Sequence, residues 1–125
     1  MRFSVDGGAT YLSGVGDYSW SGPTIDGGRN NGDNDGEIWL DGNLSAVKSD
    51  GTPANSFNSK IELRPNTPGA KTVFYSTNSA NNGGFAGGQI GTGLFRNASP
   101  ISGVRFFNDN GSNWAAGVFE LWGIR

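Results

Sequence analysis

The sequence contains no cysteine and no histidine. Without thiols there is neither a disulfide framework nor a thiolate metal cluster, so the fold must rest on packing in any redox compartment. Nucleophilic triads, imidazole bases and the usual zinc sites are excluded with them. Charge is scarce too: nine basic and eleven acidic residues, 16% of the chain, give a formal net charge of −2. No basic stripe or polybasic patch is formed, which argues against nucleic acid and against a membrane surface as partners. Apolar runs last only a few residues, too short for a spanning helix. The opening MRFSVDGG has neither the apolar core nor the cleavage site of a signal peptide, so no secretory routing is expected.

Glycine is what the chain has in excess, 22 of 125 residues, beside an apolar fraction of only 34%. That combination describes many turns, and the length suits one domain over residues 1–125. Almost no window keeps a helical period, whereas short alternating runs recur between turn clusters, so the expected class is all-β. Strands are expected at residues 2–5, 9–12, 18–20, 37–40, 44–47, 60–64, 72–76, 88–95, 103–108 and 117–124. Asp6-Gly7-Gly8, Asp26-Gly27-Gly28, Asp41-Gly42-Asn43, Asn82-Gly83-Gly84 and Asn110-Gly111 supply turns between them.

Alternation assigns faces. In Lys60-Ile61-Glu62-Leu63-Arg64 the two aliphatic residues share one side and the charges share the other, as in a sheet with one face on a core. Near the C-terminus, residues 103–108 and 117–124 can pair as a hairpin with Phe106 opposite Phe119. That register sets Val104 opposite Leu121, Arg105 opposite Glu120 and Phe107 opposite Val118, satisfying an aromatic, an aliphatic and a charge pair together.

The segment ISGVRFFNDNGSNWAAGVFELWGI, residues 101–124, resembles the closing hairpin of a family of small β-sandwich domains from tailed-bacteriophage virion proteins. In that family a G-(I/V)-R-F strand, a glycine-containing turn and a final G-x-F-x-L-(Y/W)-G-I strand end the domain. The front end is similar as well: RFSVDGGATY, residues 2–11, looks like the family's opening R-x-S-x-D-G-G-x-(S/T)-(W/F/Y) strand and turn. The likeness runs over most of the chain but is carried by its two ends, and the middle, including the Asn/Gly-rich run at residues 78–93, is individual. It implies an antiparallel β-sandwich, jelly-roll-like, ending in a C-terminal hairpin. It also implies a virion part, either a head decoration or head-fibre component or a piece of a tail appendage. The matched motifs define no binding residues.

The remaining enzymatic option is a carboxylate pair of the glycosidase kind. The three glutamates are Glu37, Glu62 and Glu120, and the last two sit on alternating strands as outward charges with basic residues nearby, as solvated surface groups do. No catalytic residue is assigned. DGGRNNGDNDGE, residues 26–37, invites comparison with a calcium loop, placing Asn31, Asp33, Asp35 and Gly36 at the first key positions. The twelfth position is Gly42, where a bidentate glutamate is needed, and the flanks are strand-like. An irregular calcium site drawn from Asp26, Asp33, Asp35 and Glu37 stays open beside a plain solvated crossing between Trp20 and Ile38, which turn chemistry favours.

Four tryptophans raise the question of sugar stacking. Trp20, Trp39 and Trp122 lie in strand-like runs, whereas Trp114 lies in a turn and is the candidate ligand contact. Trp39 and Trp122 alternate against aliphatic neighbours that should face the core, which would turn both indoles outward. With Phe107 and Val118 they make a candidate subunit interface, since an outer apolar patch calls for cover. The expected protein is a virion-surface decoration protein, a homotrimer contacting itself and the major capsid protein. The alternative is a receptor- or glycan-binding domain of a tail fibre or spike.

Overall fold

Side-chain alternation at period two builds the main sheet. The computed structural model describes residues 1–24, 27–40, 56–64, 68–80, 86–107 and 117–123. They form β1 (Arg2–Ser4), β2 (Tyr18–Pro23), β3 (Arg29–Asp35), β4 (Ser56–Leu63), β5 (Lys71–Ala80), β6 (Ala86–Phe95) and β7 (Gly103–Arg105), with no helix among the described residues. A five-stranded sheet has the order β3-β2-β6-β5-β4, and β1 pairs with β7 in a second, two-stranded sheet. Every pairing is antiparallel. The all-β antiparallel class is therefore as expected. The expected strand at 44–47 lies outside the described residues.

On β5, Lys71, Val73, Tyr75 and Thr77 are buried while Thr72, Phe74 and Ser76 alternate outward. Tyr18 and Trp20 on β2 and Phe95 on β6 join the same inner face. The small sheet covers part of it: Phe3 of β1 meets Tyr18 at 6.0 Å and Phe95 at 5.2 Å between ring centroids, and Tyr18 stacks on Phe95 at 5.2 Å. Tilted and offset ring pairs of this kind add to simple area burial. Ile61 and Leu63 of β4 pack against this core while Lys60 and Glu62 stay outside, as alternation requires.

Among the polar groups that enter the core with partners are Tyr18 and Lys71. The Tyr18 hydroxyl accepts from Phe3 N at 2.9 Å and donates to Leu12 O at 3.0 Å. Lys71 is fully buried, and its ammonium donates to three carbonyls, Gly69 at 2.6 Å, Ala98 at 3.0 Å and Asn97 at 3.3 Å. A buried cation survives only with such satisfaction.

Three local expectations are corrected. Residues 9–12 form no strand; the chain leaves β1 through a turn where Gly7 and Gly8 take φ of 77° and 90°, values that demand glycine. In that turn the hydroxyls of Ser4 and Thr10 donate to Asp6 and hold its carboxyl well below the usual carboxylate range. Residues 37–40 form no ladder strand either. Instead Ile38 exchanges two backbone bonds with Met1, at 2.8 and 3.0 Å, and buries its side chain over the sheet.

The closing hairpin is the third. Residues 117–123 carry no strand, and β7 takes β1 as its partner, with Phe3 opposite Val104. Of the expected cross-strand pairs the ring contact remains, Phe106 stacking on Phe119 at 5.7 Å. β1 offers β7 a backbone ladder together with the Phe3 anchor in the core, which a side-chain register alone does not match.

Candidate functional site

The dodecapeptide DGGRNNGDNDGE is mostly strand. Thr24 N donates to Gly28 O and Gly27 N to Thr24 O, closing a short turn, and the chain returns as β3 along the edge of the large sheet. The register slips between Tyr18 and Trp20, so that β3 holds one extra residue, and Asn34 sits at φ 55°. This is a β-bulge, which bends and twists the edge strand. The expected plain crossing is therefore a hairpin return with a bulge.

The bulge sends the acidic residues apart. Asp33 pairs with the guanidinium of Arg96, which also donates to Asn34 Oδ1 at 2.7 Å. Asp35 accepts from the Trp20 indole N–H at 3.1 Å and from Gly36 N at 2.9 Å. Glu37 is buried against Arg2 at 3.1 Å. Asp26 lies outside the described residues. Among the described residues no group of three acidic side chains is gathered at a point where a cation could sit. Of the other glutamates, Glu62 faces solvent beside Lys60 at 3.0 Å and Glu120 accepts from the Trp122 indole at 3.3 Å.

The four candidate interface residues divide. Trp39 is turned inward, not outward: it stacks on Trp20 at 6.3 Å with an interplanar angle of 13° and packs against the core. The reason is that residues 37–40 are not a strand, so alternation does not apply to them. Phe107 is half-buried under the Arg2 guanidinium, 4.6 Å from its ring. Val118 and Trp122 remain open, 86% and 80% exposed, and Phe119 and Leu121 join them at 69% and 99%. An exposed apolar ribbon, interrupted by Glu120, thus lies at residues 118–122. Trp114 lies outside the described residues.

A second feature was not singled out from the sequence. The outer face of the large sheet holds an open groove of about 550 Å³. Its floor is made by short hydroxyl side chains on the central strands, Ser19 and Ser21 of β2, Thr92 of β6 and Thr72 of β5, with Leu94 between them. Arg29, Asn31 and Asp33 of β3 form one wall. Beyond Thr92 the ring of Phe74 stands 54% exposed. The signal was present in the alternation Tyr-Ser-Trp-Ser and Lys-Thr-Val-Phe, where each hydroxyl must face away from a buried neighbour.

These features define an all-β, two-sheet protein with a hydroxyl-lined outer face and an exposed apolar C-terminal ribbon. Compared with protein-family models, curated proteins and solved structures, the chain matches none.

Proposed function

We propose that the chain is a structural subunit of a tailed-bacteriophage virion, a decoration protein on the head surface. It works by burying surface against copies of itself, as a homotrimer, and against the major capsid protein. The resemblance of residues 2–11 and 101–124 points to the virion, with a jelly-roll-like sandwich as its scaffold. The observation that supports assembly is the ribbon at residues 118–122, where four large apolar side chains stand at least 69% exposed. Large exposed apolar side chains gathered in one segment support an interaction surface. Association gains about 25 cal/mol for each Å² of apolar surface it removes from water.

The test is imaging of intact particles with the chain located in the density. The expected result is a high copy number distributed over the head. A few copies confined to the tail would overturn the decoration role and favour the appendage reading.

A further inference from the structure

We infer that the groove on the outer face of the large sheet binds an uncharged saccharide. The registers place its groups in order. One row across four adjacent strands reads Asn31, Ser21, Thr92, Phe74, and the next reads Ser19, Leu94, Thr72. Neighbouring strands stand about 4.8 Å apart, so the longer row covers roughly 14 Å, room for more than one sugar ring. Along it a carboxamide and two hydroxyls give way to an exposed aromatic ring.

The ligand class follows from what these groups can and cannot recognise. A peptide added as a strand needs a free backbone edge, and β2, β6 and β5 are central strands whose edges are already paired. A polyanion needs several cations; the groove's lining holds one, Arg29, together with the carboxylate of Asp33. A purely apolar ligand would strand the floor hydroxyls without water or a partner. A saccharide meets all three conditions. It carries no charge, its hydroxyls both donate and accept, as Ser, Thr and Asn do, and the axial C–H face of a pyranose is an apolar plane suited to Phe74 and Leu94. Short side chains on the floor leave room for the ring where longer ones would fill the groove.

The inference does not depend on where the chain sits in a particle, because it rests on the face opposite the core and not on the C-terminal ribbon. Its test uses the intact chain on a glycan array, followed by NMR titration with the glycans retained. Saturable binding to uncharged glycans is expected, with shift changes gathered at Ser19, Ser21, Asn31, Thr72 and Thr92. Phe74→Ala should weaken binding about tenfold. The double variant Ser21→Ala, Thr92→Val, which keeps shape on an exposed face and should keep Tm, should weaken it at least as much. Ile90→Ala, on the same face but outside the groove, should leave it unchanged. Three results would overturn the inference: no glycan bound, binding undisturbed in the folded double variant, or binding restricted to polyanionic glycans and abolished by salt.

Discussion

Tyr18 shows how much a single residue fixes in this fold. Its ring meets those of Phe3 and Phe95 in a three-ring cluster, and its hydroxyl holds the backbone of both Phe3 and Leu12, so one side chain joins the two sheets and the segment between them. Tyr18→Phe keeps the rings and removes the oxygen, leaving the Phe3 N–H and the Leu12 carbonyl without this partner; a loss of about 1–3 kcal/mol is expected in urea denaturation. Burial is the main cause that raises the Tyr18 pKa above its ordinary 10.0. Because the folded state then holds the proton more tightly than the unfolded chain, its contribution is complete below pH 10.0 and falls as the pH rises toward the folded pKa. The variant lacks that decline. The stability gap between the two proteins should therefore narrow above pH 10.0, and a gap that stays constant would contradict the assignment.

At the scale of elements, β6 is the strand on which the sheet turns, since it lies between β2 and β5 and carries glycine where its inner face is most crowded. A methyl group on Gly91 would stand 2.5 Å from the Tyr75 ring and 2.9 Å from the Ser21 carbonyl, and the second of these is backbone in a paired strand. Gly91→Ala is expected to cost about 1–3 kcal/mol, read as a lower Tm and urea midpoint, through overpacking. The glycines of this strand look in sequence like turn or loop residues, so the expected span 88–95 stops two residues short of the observed start at Ala86, and polarity misleads about faces at one place, where Gln89 is buried and Ile90 is exposed. Strand β3 was not legible. RNNGDND has no apolar residue, because an edge strand turned toward solvent is held by its ladder with β2 and by the Thr24–Gly28 turn, neither of which leaves a hydrophobic pattern. The segment around Ile38 failed for the opposite reason, having strand-like composition while its backbone bonds go to Met1. The groove was half legible: alternation turned the hydroxyls outward, but only the pairing of strands distant in sequence sets Ser21 beside Thr92.

For the whole molecule, the proposed contact between copies can be separated from folding. Phe119 also stacks on Phe106, whereas Val118, Leu121 and Trp122 contribute little to the core of one chain, since each is at least 80% exposed, so changing them should not unfold it. This separates assembly from folding. If copies associate through the ribbon, Leu121 would pass from 99% exposed to covered, a gain of about 1.5–3 kcal/mol for a fully buried side chain. Leu121→Asp removes that gain and sets a carboxylate beside Glu120, so association should weaken by roughly a factor of 10–100 or more. Sedimentation equilibrium should show wild-type chains as trimers and the variant as monomers at the same concentration, with the circular dichroism spectrum unchanged. A variant that still assembles as the wild type would show that the contact lies elsewhere on the surface. A wild-type chain that is monomeric alone would overturn the proposed homotrimer.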